Sequence, residues 1–519
     1  MCLAIGEDVK SEESGPVDFE RAITNAGYGK FNYLLLLAVL PASFSSIFSS
    51  SAMSYVLPSA ECDLRLTMFD KGLLNSMTFA GMISTSFFWG FMTDTFGRKK
   101  IMFYGYMVAG ITSLAACFSH TSWLLILFKF LDGVIMSGPY AALMSYLAEV
   151  HNDAQRSRTY MWLGVFFSLG NISLPCIAWL IIPQKWTINV WTGVVKISSW
   201  RVFLAICSLP EFLACLAIFT FPESPRFLLL KGRRKEALEV FRKIYSVNTG
   251  KNPDTYPVSN VRYFSVFHEK NFNYTCYISL LIKDIDDDYS VELASNSKIK
   301  DKLRSCWQQI KPLFLSPNIF KLIAIGMIQL GATIGLVRST ELAMKHTIII
   351  VGSLNSLYRV EYISRVNVRE FQSFFTRASF QVELNSKVFI NSIVIAVTGV
   401  IGYTLAGTLI TVVGKKKLIA TCFIVAAACC GSLYWAEDTN SILGLCSVFV
   451  AMSSIGGACV VNVIVDNFPT CLRTMAVSLT MMIGRIGAVI GNLLFPVLFD
   501  LSCLGPFIMI GSAALGKIA

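Results

Sequence analysis

The sequence predicts an all-α polytopic membrane protein, with twelve transmembrane helices in two parallel six-helix repeats. Three observations predict it. Only 15% of the 519 residues are charged, against about 25% in an ordinary soluble chain. Apolar runs of about 20 residues, long enough to cross some 30 Å of hydrocarbon, recur along the chain. A glycine- and base-rich turn between two such runs is echoed 317 residues later in the chain. Mean hydropathy is +0.59, which excludes a disordered chain and nearly every water-soluble enzyme class.

Taken in order, residues 1–30 hold nine charges and no apolar core, so they read as a cytoplasmic arm and not a signal peptide. Apolar runs at 31–57, 72–92, 101–119, 123–147, 160–182 and 200–221 make up a first bundle, 31–221. A polar central loop, 222–318, follows, with an amphipathic helix predicted from Arg233 to Tyr245. A second bundle, 319–519, takes runs at 319–337, 388–413, 418–436, 442–465, 476–497 and 502–518. Each run is helical, because in lipid an open strand leaves backbone groups unpaired. The loops on the N-terminal side of the membrane hold 28 Lys and Arg, and the opposite loops hold 11. That bias places both termini in the cytoplasm. Seven of the 11 sit in one extracellular or lumenal loop, 338–387. They run against the pattern, and predict that the native transcript carries a different insert there.

The repeat is visible residue by residue. Gly90 to Lys100 reads GFMTDTFGRKK, and Gly407 to Lys417 reads GTLITVVGKKK. At the same offset Glu149 meets Asp466 and Arg156 meets Arg473. Gly90 and Gly97 allow a tight turn and close backbone approach. Asp94, at a helix end, is expected to face the positive N-terminus of a helix in the other half. Arg98 is expected to pair with acids at neighbouring helix ends.

Other chemistries find no support. The four His are scattered, and the fifteen Cys lie mostly inside apolar runs, where a thiol acts as a small hydrophobe. Asp284, Asp286, Asp287 and Asp288 lack the glycine and distal Glu of a Ca²⁺ loop. No nucleotide loop, nucleophile triad or metal-ligand spacing occurs, so the expectation is no enzyme, no cofactor, no metal and no nucleic-acid partner. A net charge of +11 is what the cytoplasmic bias of Lys and Arg produces.

These residues resemble the major facilitator superfamily over essentially the whole chain, Gly90–Lys100 matching its signature loop. Phe221 to Phe227, FPESPRF, resembles the motif closing the sixth helix in sugar-porter-like and organic-cation-like members. The stretches Tyr55–Asp63, Ser199–Phe203, Lys387–Ser392, Val465–Arg473 and Gly484–Asn492 resemble the synaptic vesicle glycoprotein 2 family. The resemblance implies a central cavity worked by alternating access. It implies a cytoplasmic gating network of Asp94, Arg98, Glu149, Arg156, Glu223 and Arg226, with Asp466 and Arg473 as second-half counterparts. It implies a secondary transporter of a small organic solute, sugar-like or ionic, in the plasma membrane or a synaptic-type vesicle. The alternative is a transport-inactive protein of the same fold that regulates vesicle trafficking or exocytosis with vesicle protein partners.

Three departures bear on mechanism. Thr411 stands where the second turn should carry an acid, and Lys415 where it should carry Arg, which alone pairs bidentately. Lys129 and Asp132, three apart on one helical face, can neutralise each other or line the cavity; both readings stay open. The first span carries serines, among them Ser46 and Ser49, where relatives carry acids. These hydroxyls either line the cavity or form a small-residue packing face. Trp162, Phe166, Asn171, Trp179 and Arg485 complete the cavity candidates. Asp132 reads as the one acid left deep in a first-half helix, which predicts facilitated, weakly pH-dependent movement of a neutral or polar solute.

Overall fold

A computed structural model describes residues 17–184, 187–190, 195–258, 261–262, 319–323, 325–326, 330, 386–432, 438–467 and 470–501. Long helices dominate it. A short arm, β1 (Val17–Asp18) and α1 (Phe19–Asn25), leads into α2 (Lys30–Leu64), α3 (Met68–Phe96), α4 (Arg98–Ala116), α5 (Ser122–Val150) and α6 (Asp153–Ile181). A hairpin of β2 (Thr187–Val190) and β3 (Val195–Ser198) pairs Thr187 with Ser198 in antiparallel register. The sixth predicted span is two helices, α7 (Ser199–Cys207) and α8 (Leu209–Phe219), with Pro210 in the first turn of α8. Proline at that position gives up a backbone donor that helix starts leave unpaired anyway. Then come α9 (Pro225–Leu230), α10 (Arg234–Thr249), a 3₁₀ turn and β4 (Val261–Arg262). The second half contributes α11 (Ser386–Val413), α12 (Lys415–Ser432), α13 (Thr439–Asn467) and α14 (Thr470–Leu501). The seventh span is described in part, as helical residues 319–323 and 325–326. The twelfth span and residues 338–385 of the loop 338–387 lie outside the described residues, as does the acidic run at 284–288; residues 386–387 open α11. Five of the described helices are long and apolar enough to cross a membrane, among them Lys30–Glu61 and Ser122–Val150.

The duplication holds at the level of helix ends. Adding 317 to Phe96, Arg98, Val150 and Asp153 gives 413, 415, 467 and 470, which are the ends of α11 and α13 and the starts of α12 and α14. The turns share a backbone as well, with φ at +102° for Gly97 and +86° for Gly414. L-residues other than glycine avoid that region because Cβ crowds the following carbonyl. Each half therefore needs its glycine where the sequence repeats it.

The first bundle is packed as two apolar cores. One holds Phe31, Met102, Met136, Tyr146 and Phe227, near Gly97. The other holds Phe48, Val56, Leu125, Trp200 and Phe203, near Tyr55, and includes Phe389 of α11. Between them lies a layer of buried polar side chains, Ser45, Ser49, Lys129, Asp132 and Glu211 among them. The two halves meet along α3 against α14 and along α6 against α11. Within the first half, α3 and α5 press backbone to backbone: a Cβ on Gly133 would collide with the Thr78 carbonyl oxygen. Small residues at helix crossings are how membrane helices gain van der Waals contact without a hydrophobic drive.

Candidate functional site

At the Gly97 end, Arg98 organises the first cluster. Its Nη2 donates to Asp94 Oδ1 at 2.8 Å and to Glu149 Oε1 at 3.0 Å. Its guanidinium lies over the Phe227 ring, 5.3 Å from the centroid. Arg98 Nε and Nη1 are buried without a hydrogen-bond partner among the described residues. Glu149 is as buried as Arg98, and its Oε2 accepts from Ser224 Oγ. Ser224 in turn caps α9, accepting from the Phe227 amide. Glu223 Oε1 accepts from the Lys99 and Ser224 amides, each at 3.0 Å. Gly97 offers no side chain to cap α4, and Glu223 supplies the anion that a helix N-terminus favours. A Cβ on Gly97 would come within 2.5 Å of Glu223 Oε2. The FPESPRF segment is thus docked onto the α3–α4 turn by cation–π and capping contacts.

The half-exposed carboxylate of Asp94 turns back to Arg98 one helical turn on. Arg156 pairs with Glu20 of the N-terminal arm at 2.8 Å and donates to the carbonyls of Ala148 and His151. Arg226 is half-buried at the start of α9. Asp466 and Arg473 fall on α13 and α14, but their side chains, like those of Thr411 and Lys415, lie outside the described residues.

The N-terminal arm is built into this face. Phe19 meets Phe241 edge-on, and Phe241 stacks on Tyr256, whose hydroxyl donates to the Ala22 carbonyl. Asn248 accepts from the Phe31 amide and donates to the Gly27 carbonyl. β1 pairs in parallel with β4, Val17 opposite Val261. Residues 1–30 were expected to carry no apolar core, yet Phe19, Ala22 and Ile23 are buried. Three apolar residues on one face of a seven-residue helix are too few to show in a composition window.

Half-way through the first bundle sits the second cluster. Lys129 Nζ and Asp132 Oδ2 are 3.2 Å apart, and Ser49 Oγ donates to the same oxygen at 2.7 Å. Ser113 Oγ lies 3.3 Å from Asp132 Oδ1 and 3.2 Å from Glu211 Oε1. Lys129, Asp132 and Glu211 are all fully buried. Glu211 corrects the reading of Asp132 as the one deep acid of the first half. The signal was present as a lone Glu after Leu-Pro in an apolar run. Ser49 faces into the bundle, while Ser46 is half-buried and its carbonyl accepts from Ser50.

Among the described residues, contacts between the halves occur at mid-depth and at the Tyr55 end. Arg485 Nη1 reaches Ser86 Oγ at 3.0 Å and Ser137 Oγ at 3.4 Å. Asn492 donates to the Asn75 carbonyl, and Tyr55 stacks on Phe389. Asp63, at the same end, accepts from the Trp200 indole at 2.8 Å and from Ser198. Trp162 and Asn171 are exposed on α6, Asn171 donating to the Phe167 carbonyl of its own helix. No group of three or more metal-ligating side chains occurs among the described residues.

Comparison with known proteins fits this arrangement. Rat synaptic vesicle glycoprotein 2C is 32% identical over 238 residues, 46% of this chain and 33% of that protein. Rat synaptic vesicle glycoprotein 2A is 27% identical over 263 residues, 50% of this chain and 35% of that protein. The matches thus span about a third of the relatives' own length. Among solved structures, the proton:xylose symporter XylE bound to 6-bromo-6-deoxy-D-glucose superposes with a TM-score of 0.61 at 12% identity, covering 94% of each chain. The inward-open XylE from E. coli gives 0.60 at 13% identity, over 94% of this chain and 95% of that one. The family profile described as Major Facilitator Superfamily matches residues 39–358, and on that match the chain belongs to the Major Facilitator Superfamily, an integral membrane family of transporters.

Proposed function

We propose that the chain is a secondary transporter that moves a small polar organic solute, sugar-like or ionic, by alternating access between its two halves. The observation that carries the reading is where the polar contacts lie. Among the described residues, the Arg98 cluster closes within the first half at the Gly97 end, while Tyr55–Phe389, Asn492–Asn75 and Arg485–Ser86 join the halves at the other end and at mid-depth. A protein so latched can part its halves at the Gly97 end without breaking either bundle. In this reading the Gly97 end is cytoplasmic, as are both termini, and Asp94, Arg98, Glu149 and Glu223 form the first-half latch. Asp466 and Arg473 are its second-half counterparts. Arg485 is the cavity candidate with the strongest support, being a cation held between halves by the hydroxyls of Ser86 and Ser137.

The units are the first bundle, 31–221, the central loop, 222–318, with α9 and α10 docked beneath the bundle, and the second bundle, 319–519. The relatives' name points to a vesicular membrane, and the xylose symporters to a sugar-like cargo. The test is uptake by reconstituted protein across hexoses, nucleosides, carboxylates and organic cations. Saturable uptake of one class supports transport. A silent panel from well-folded protein overturns it in favour of a regulator of vesicle trafficking.

A further inference from the structure

We propose that Glu211, Ser113 and Asp132 form a buried proton-binding site inside the first bundle, with one proton held on Glu211 and Lys129 as the fixed counter-charge of Asp132. Two lines of geometry lead there. The first is hydrogen counting. Ser113 has a single hydroxyl hydrogen, yet its Oγ stands 3.3 Å from Asp132 Oδ1 and 3.2 Å from Glu211 Oε1. If both acids were ionised, one carboxylate would face a hydroxyl lone pair. A proton on Glu211 Oε1 completes the chain: Glu211 donates to Ser113, and Ser113 donates to Asp132.

The second line is charge. Asp132 already has its complement, since Lys129 and Ser49 both approach Oδ2. Glu211 has none to itself, and its Oε2 is buried with no hydrogen-bond partner among the described residues. An unpaired ionised oxygen in an apolar interior costs far more than a neutral carboxyl oxygen. One ammonium, one carboxylate and one carboxylic acid leave the layer neutral between its two apolar cores. The other titratable groups facing it are the Tyr106 hydroxyl and the Cys117 and Cys207 thiols, from α4, the turn after it and α7. A phenol and two thiols have no cationic form and cannot replace the missing positive charge.

The bound species is therefore a proton, and the cluster lies on α4, α5 and α8, apart from the Arg485 contact between the halves. The proposal concerns occupancy and does not need solute movement, so it stands apart from the transporter reading. The experiment is infrared difference spectroscopy of the full chain in nanodiscs at neutral pH. A protonated-carboxyl C=O stretch should be present, shift in D₂O, and be lost in Glu211→Gln, which keeps the fold because an amide mimics a neutral acid. Ser113→Ala, which removes the acceptor of that proton, should move the same band to higher frequency. If Glu211→Gln does not fold, the Ser113→Ala shift decides. Absence of the band in the unaltered chain, or a band indifferent to both substitutions, overturns the site.

Discussion

At the scale of single residues, the two glycines of the repeated motif, Gly90 inside α3 and Gly97 in the turn after it, separate conformation from composition. Gly97 has φ +102° and its missing Cβ makes room for Glu223 Oε2, whereas a Cβ on Gly90 would meet nothing within 4 Å. Gly97→Ala should therefore lower stability by at least about 1–2 kcal/mol from backbone strain alone. Gly90→Ala, inside α3, should be neutral or gain up to about 1 kcal/mol. Denaturation midpoints of the two variants in detergent make the comparison, and equal midpoints would remove the role assigned to the turn.

His151 supplies a second test at this scale. Burial holds its imidazole below the usual histidine range, with its bond to the Leu147 carbonyl opposing the shift and Arg156 adding to it. The groups facing it are Arg156 and the Tyr28 ring, with Glu20 held beyond Arg156. A depressed value means that the unfolded chain takes up the proton first. His151 thus costs nothing above its unfolded value of 6.5, and destabilises progressively as pH falls below it. Melting temperature measured from about pH 7.5 to about pH 5.5 should fall less in His151→Gln than in the parent, since Gln does not titrate there.

At the scale of elements, the N-terminal arm is tied to α10 mainly through Asn248. That side chain accepts from the Phe31 amide and donates to the carbonyls of Ala26 and Gly27 and to Asn32. Asn248→Ala leaves partly buried backbone groups unpaired, at about 1–3 kcal/mol. Limited proteolysis should then cut within 17–29 sooner, while the membrane helices melt as before. Equal cutting would show that the Phe19–Phe241–Tyr256 stack suffices. This element also marks the limit of sequence reading. Membrane helices are legible because apolar length is a local property, and the repeat fixed their ends through Gly97 and Gly414. The amphipathic helix predicted over Arg233–Tyr245 is found at Arg234–Thr249. The arm's helix, the β1–β4 pairing and the Arg156–Glu20 contact depend on partners more than a hundred residues away. Glu211 was missed for the same reason, since its meaning comes from Ser113 and Asp132 on neighbouring helices. Arg98 with Glu149 was foreseen because both stand at helix ends on one face of the membrane.

At the scale of the whole molecule, the Arg98 cluster predicts a division of labour between its two acids. Glu149 is buried with Arg98, their side chains each 6% exposed, while Asp94 is 58% exposed. Removing one partner of a buried pair costs about 3–5 kcal/mol, because the other charge is stranded. An exposed pair contributes roughly 0–1 kcal/mol. Glu149→Gln should therefore unfold the first bundle's inner end, with a large drop in melting temperature. Asp94→Asn should leave the melting temperature within a degree or two, since the Glu149 and Phe227 contacts of Arg98 remain. Its effect should instead fall on the balance between conformations, because Arg98 Nε and Nη1, unpartnered among the described residues, can take a different acid when the halves approach. Cysteines placed on α3 below Trp89 and labelled from the Gly97 side read that balance directly. Asp94→Asn should raise their accessibility, by up to about fivefold if the lost contact contributes about 1 kcal/mol in the closed state. Unchanged labelling with unchanged stability would strip Asp94 of any gating role and leave the turn as a topological marker. A shared collapse of both variants would mean instead that the cluster holds the bundle together and does not arbitrate between its states.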